Sequence, residues 1–127
     1  MCIENSCRSQ IAEGFAKQMG KSIIDSYSAG SRPSGMVNPN AVKVMKELGV
    51  DISLYKSKTF DALPVKKFDF VVHLGCKDAC PFVPAYEHIY WDIDDPSGKD
   101  IDFFRKVRDN IKNNIKQLIL KVSAQDD

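Results

Sequence analysis

A chain of 127 residues that is 43% apolar and carries a formal net charge of +1 can close one hydrophobic core, and residues 1–127 read as a single domain. Near-neutral charge argues against nucleic acid or an anionic membrane as the main partner, and no apolar run approaches the roughly 18 residues of a membrane span. No basic-then-apolar leader opens the chain, so a cytoplasmic protein is expected, and its four cysteines read as catalytic or metal-binding rather than as a disulfide frame.

The chain opens on Cys2-Ile3-Glu4-Asn5-Ser6-Cys7-Arg8-Ser9. In a loop of this kind successive N–H groups turn inward, and a helix starting near Ser9 adds its positive end, so the segment can cradle a tetrahedral oxyanion. Arg8 offers a planar fork of donors. The same field holds Cys2 as a thiolate, the form that attacks. Cys7 reads as a small buried spacer.

Ile11, Ala12, Phe15, Ala16 and Met19 recur at helical spacing, with Gly20 as the stop. Residues 22–28 read as a short strand, and residues 31–35 as loop. Asn38 caps a second helix with Pro39 in its first turn; Val42, Met45 and Leu48 form its buried face and Gly49 ends it. Residues 51–64 are irregular, with one helical turn around Asp61. Residues 68–74 are the clearest strand, and residues 75–84 form a loop or short helix bearing Cys76 and Cys80. Residues 88–91 are the last strand, residues 94–98 a turn. A long helix then runs to about Val122 on a stripe of Ile101, Phe104, Val107, Ile111, Ile115, Leu118 and Val122.

Strands alternating with helices define an α/β domain with a short parallel sheet and helices on both faces. Ligands of such sheets sit beyond the carboxyl ends of the strands. The cysteine loop and the turn of Asp95 leave strand ends on that side, facing the loop of Cys2. Asp95 is then a general acid or a turn former, with Asp94 as a competitor. Cys76 and Cys80, four apart, share one face of a helix if one forms, within reach of each other. They are a thiol pair for redox work, two buried thiols, or half of a zinc site whose completion falls to His73 and His88. Those histidines are expected to pack at strand ends, and Trp91, Phe82 and Tyr90 to line a pocket or, by preference, to pack in the interior.

The motif around Cys2, with Ser28-Ala29-Gly30, Asn38-Pro39, Gly75-Cys76 to Cys80-Pro81 and Asp94-Asp95-Pro96-Ser97-Gly98-Lys99, resembles the thiol-linked arsenate reductases, which share the low-molecular-weight protein tyrosine phosphatase fold. The resemblance covers the chain from Cys2 to the last helix. It implies Cys2 as nucleophile, Arg8 as anion clamp, Ser9 as partner of the thiolate, Asn5 as loop organiser and Asp95 as acid. It further implies an oxyanion loop of Ile3, Glu4, Asn5, Ser6, Cys7, Arg8 and Ser9, and a disulfide passed through Cys76 and Cys80 to thioredoxin or another thiol reductant. No metal or cofactor is implied for the reaction, phosphate and sulfate should compete with arsenate, and a monomer is expected. Three departures accompany the match: the family's first, central strand has no counterpart, the distal cysteines are closely spaced, and Lys58 stands where some members place an aspartate beside a potassium ion held through residues matching Asn5, Glu13 and Ser28.

Arsenate reduction is the leading expectation. A phosphomonoesterase of the same fold would use Cys2, Arg8 and Asp95 but give Cys76 and Cys80 no role, and it would want an aromatic residue where Ser97 stands. A thiol sensor holding zinc or arsenite through Cys2, Cys76 and Cys80 is the third reading.

Overall fold

Among the described residues three helices and two strands follow one another as α1 (Arg8–Met19), α2 (Pro39–Lys46), β1 (Phe68–His73), β2 (Ala85–Tyr90) and α3 (Ile101–Gln125). The structure, a computed structural model, describes residues 7–20, 23–29, 36–56, 62–64, 67–74 and 85–125. Cys2, Ile3, Glu4, Asn5, Ser6, Lys58, Asp61, Cys76, Cys80 and Phe82 lie outside the described residues, as do both loops expected at residues 31–35 and 75–84.

Each helix has a local cause. Asn38 accepts from the Asn40 N–H at 2.9 Å, and Pro39 supplies the fixed φ of a first helical residue. Gly49, at φ 78, turns the chain out of the end of α2. Asp100 caps α3 by accepting from the Phe103 N–H at 2.9 Å. The α3 stripe buries Phe104, Val107, Ile111 and Ile115, joined by Ile119 and the guanidinium of Arg108, while Ile101, Leu118 and Val122 are half-buried at its margin. Helix α3 packs against both α1 and α2.

Helix α1 is buried along its whole first two turns, from Arg8 to Ala16, so its polar residues there all need partners inside the protein. Gly14 sits at its closest approach to the α2 side. A Cβ there would stand 2.9 Å from Ile52 Cγ2 and 3.0 Å from Met45 Cε, which accounts for a glycine inside a helix.

The expected parallel pairing is observed. β1 and β2 run parallel in the register Val71 to His88 and His73 to Tyr90, and the Trp91 N–H extends the ladder to the His73 carbonyl at 2.8 Å. β2 starts three residues earlier than its apolar run suggested. Among the described residues the sheet has these two strands only. The strand expected over residues 22–28 is a correction: residues 24–29 carry no strand assignment. Their pattern is satisfied by burying Ser28 and Ala29 and by an edge-to-face contact of Tyr27 with Phe68, ring centroids 6.2 Å apart. This segment lies across a cleft of about 530 Å³ from β1, with α1 and α3 lining the rest. Tyr90 is a second correction: it is 69% exposed as the last residue of β2, its ring stacked on His73, while Trp91 is half-buried. Among the described residues no helix is long and apolar enough to cross a membrane.

Candidate active site

Arg8 is where the expected site becomes geometry. As the first residue of α1 it follows Cys7, whose carbonyl accepts the Ile11 N–H at 2.9 Å and whose side chain makes no cap. The first turn of α1 contains no acidic residue. The guanidinium is buried to 9% exposure. Its Nη1 donates to the Ile93 carbonyl at 2.8 Å, and its Nη2 stands 3.9 Å from Asp95 Oδ2. One arm of the fork is therefore anchored on backbone, and that anchor orients the other toward the acid.

Asp95 is delivered by the segment that leaves β2. Its Oδ1 accepts the Ser97 N–H at 3.0 Å, an Asx turn, and its side chain is 53% exposed. Pro96 is fully buried, the Lys99 N–H closes the turn on the Pro96 carbonyl at 2.9 Å, and Gly98 takes φ 78 before α3 begins. Cys7 is buried at 3% exposure, as a spacer should be, and its Sγ lies 3.5 Å from Ser97 Oγ. Ser9 is buried as well. The structure thus brings Cys7, Arg8, Ser9 and Asp95 to the carboxyl end of the sheet. Cys2, Ile3, Glu4, Asn5, Ser6, Cys76 and Cys80 fall outside the described residues.

Behind this cluster Glu13 ties α1 to the neighbouring segment. Its buried carboxylate accepts the Ser28 hydroxyl through Oε1 and the Lys17 ammonium through Oε2 at 2.6 Å. Lys17 also lies 4.8 Å from the centre of the Tyr55 ring. Partial burial lowers the Lys17 pKa, but the hydrogen bond and charge of Glu13 outweigh it and the net shift is upward. Glu13 and Ser28 therefore do meet, and among the described residues the cation beside them is Lys17. A helix places residues i and i+4 side by side, so this pair was available from the spacing.

His73 and His88 do not merely pack at strand ends. His73 Nε2 and His88 Nδ1 are 3.0 Å apart, one necessarily donating to the other, and His73 stacks on Tyr90 with centroids 4.4 Å apart. Burial pushes the His73 pKa below its ordinary value, and the neighbouring His88 adds to the shift. Among the described residues no group of three or more His, Cys, Asp or Glu is placed to hold a metal.

The polar contacts that sequence reasoning missed are the Ile93 carbonyl on Arg8, the Ser97 hydroxyl on Cys7 and the Gln10 amide on the Lys56 carbonyl at 2.9 Å. Two of the three are to backbone, which leaves no residue-type signature.

A parallel sheet, an Arg at the start of a buried helix and an Asp in a Pro-Ser-Gly turn opposite it define an oxyanion-handling α/β protein. Over residues 1–127 the chain matches the family of low molecular weight phosphotyrosine protein phosphatases, and it belongs to that family. Its similarity lies with the arsenate reductases that share the fold. An arsenate reductase from Halalkalibacterium halodurans is 46% identical, the match covering 91% of this chain and 89% of the relative. A solved arsenate reductase in its phosphate-binding state superposes with a TM-score of 0.84 at 36% identity, over 95% of this chain and 94% of that one. A thioredoxin-dependent arsenate reductase from Corynebacterium glutamicum superposes with a TM-score of 0.77 at 26% identity, over 98% of this chain and 60% of that one.

Proposed function

We propose that this protein reduces arsenate to arsenite, with Cys2 as nucleophile, Arg8 as anion clamp, Asp95 as proton donor, and Cys76 and Cys80 as the thiols that carry the oxidation away. The observation that supports it most is the buried Arg8 fork, held on one side by Ile93 and turned on the other toward Asp95 at 3.9 Å. That is the pairing an oxyanion site needs: a fixed bidentate donor, and a proton source at the oxygen that leaves.

The oxyanion lies among the N–H groups of residues 3–9, with Arg8 on two of its oxygens. The Cys2 thiolate attacks arsenic, an oxygen departs as water with the proton of Asp95, and a sulfur–arsenic bond forms. A thiolate, Cys76 by preference, then attacks the Cys2 sulfur. A disulfide forms, the sulfur–arsenic electron pair stays on arsenic, and arsenite leaves, so two electrons have passed from two thiols to As(V). Cys80 attacks Cys76 in turn, freeing Cys2, and a thiol reductant of the thioredoxin kind reduces the final disulfide. Phosphate and sulfate, with the same shape, compete for the loop. The protein acts as a monomer in the cytoplasm.

The test is arsenate turnover with thioredoxin, glutaredoxin or a small thiol as the only electron source, run on the parent and three variants. Cys2→Ser should form no adduct, Cys76→Ser should lose nearly all turnover, and Cys80→Ser should accumulate a Cys2 to Cys76 disulfide visible by peptide mapping. A phosphatase would keep phosphomonoester hydrolysis in both distal variants. A sensor would show no turnover and lose metal affinity in all three. Distal variants that reduce arsenate at the parent rate with a protein reductant would overturn the relay.

A further inference from the structure

The turn that carries Asp95 touches the start of α1 on both sides of the acid. Two residues before Asp95, the Ile93 carbonyl accepts from Arg8 at 2.8 Å; two residues after it, Ser97 Oγ stands 3.5 Å from Cys7 Sγ. Between them Pro96 is fully buried, with its φ fixed by the ring. We propose that Ser97, resting on the buried thiol of Cys7, is a positioning residue that sets where the Asp95 carboxyl stands relative to the anion held by Arg8. This rests on the reading of Asp95 as the proton donor of an arsenate reductase.

One attachment is a hinge. Held only at Ile93, the turn could rotate about that hydrogen bond and carry an exposed carboxylate away from the anion. A second contact beyond Asp95 removes that freedom. Ser97 acts on the acid twice, its N–H holding Oδ1 at 3.0 Å while its hydroxyl rests on the thiol. The contact with sulfur is weak, but its task is geometric, and a misplacement of about 1 Å costs as much as 10²-fold in rate. The inference also gives Cys7 a task. At 3% exposure its thiol is inaccessible as a nucleophile, yet it presents a polarisable, weakly hydrogen-bonding surface at the spot where the acid's turn lands.

The test begins with Ser97→Ala, which deletes the hydroxyl and keeps the N–H on Asp95. Turnover number should fall about 3–10-fold while the arsenate KM and phosphate inhibition stay within about twofold, because Arg8 is untouched. Ser97→Thr, which restores a hydroxyl, should recover most of the loss. Cys7→Ala should lower turnover at least as far, and adding Ser97→Ala to it should cost nothing more, since the contact is already gone. An unchanged turnover number in Ser97→Ala, failure of threonine to rescue, or multiplying losses in the double variant would each overturn the proposal. Hydrogen exchange at the residue 97 amide supplies a readout independent of turnover: Ser97→Ala should exchange several-fold faster than the parent, and equal rates would count against the pin. A parent that reduces no arsenate would defeat the proposed function alone, the exchange result still deciding whether Ser97 fixes the turn.

Discussion

Arg8→Lys separates charge from geometry at the centre of the site. The ammonium keeps the positive charge and three donors, but all leave one nitrogen, where the guanidinium reaches two partners from separate nitrogens in fixed directions. If it turns to the anion, the Ile93 carbonyl, now bonded at 2.8 Å in a buried setting, loses its donor. An unsatisfied buried acceptor costs about 1–3 kcal/mol, which for a chain of this size is a fall in Tm of roughly 3–12 °C. If it turns to Ile93, the anion loses its clamp, and removing a donor of that kind costs roughly 10²–10³ in turnover. Both losses cannot be avoided together, so the variant should show either a lower Tm with partial activity or a near-parent Tm with very low activity. Thermal melts with and without phosphate, alongside arsenate kinetics, distinguish the two. A variant with parental Tm, parental phosphate stabilisation and kcat/KM within about threefold of the parent would refute the reasoning, since it would show that donors on one nitrogen replace the two-nitrogen fork.

Three further outcomes follow from the same structure. His73 has a pKa below its ordinary value of 6.5, so the unfolded chain takes up a proton that the native state resists. Stability should therefore be level above pH 6.5 and decline as pH falls below it, and His73→Leu should flatten Tm between pH 5.5 and 7.5; a parent Tm that rises on acidification would sink this. Lys17→Met should destabilise by about 1–3 kcal/mol, below the roughly 3–5 kcal/mol of a fully buried pair because Lys17 is half-exposed while Glu13 is not, and adding Glu13→Gln should recover part of it by denaturant titration. Finally, an apolar strand of roughly six residues fused ahead of Met1 should raise Tm by filling the cleft of about 530 Å³ lined by β1 and residues 23–29; equal melting of the two chains would sink this.

What the sequence made legible is what local chemistry decides. The Asn38 cap, the Pro39 start and the α3 stripe each depend on neighbours within a turn or two, and each was found where its residues put it. The Arg8 to Asp95 pairing was legible for a different reason: the turn of Asp95 leaves a strand at the carboxyl edge of a parallel sheet, the side on which the loop opening α1 was expected to face it. The failures are non-local. Residues 22–28 have the composition of a strand, but a strand is defined by its partner, and composition cannot say whether one is paired. Tyr90 was placed inside on residue type, whereas at the end of β2 its ring lies on His73 and stays largely exposed. The His73 and His88 contact depends on a register of two strands separated by eleven residues, and no pattern along either strand encodes it. The Ile93 anchor of Arg8 is a carbonyl, the one group every residue has.

Glu47 closes the end of α2 onto α3, accepting from Arg105 at 2.7 Å and from Arg108 at 2.7 Å, while Arg108 also donates to the Val44 carbonyl at 3.0 Å. The hydrogen bond from Arg105, with that from Arg108 and the charge of both, lowers the Glu47 pKa from 4.5 to about 2. Its contribution is complete above pH 4.5 and disappears only as pH falls toward 2, whereas the His73 end of the sheet begins to weaken below 6.5. Of these two groups His73 meets acid first, so on lowering the pH a change in the tyrosine signal of Tyr90, stacked on His73, is expected before the Glu47 contact between α2 and α3 weakens.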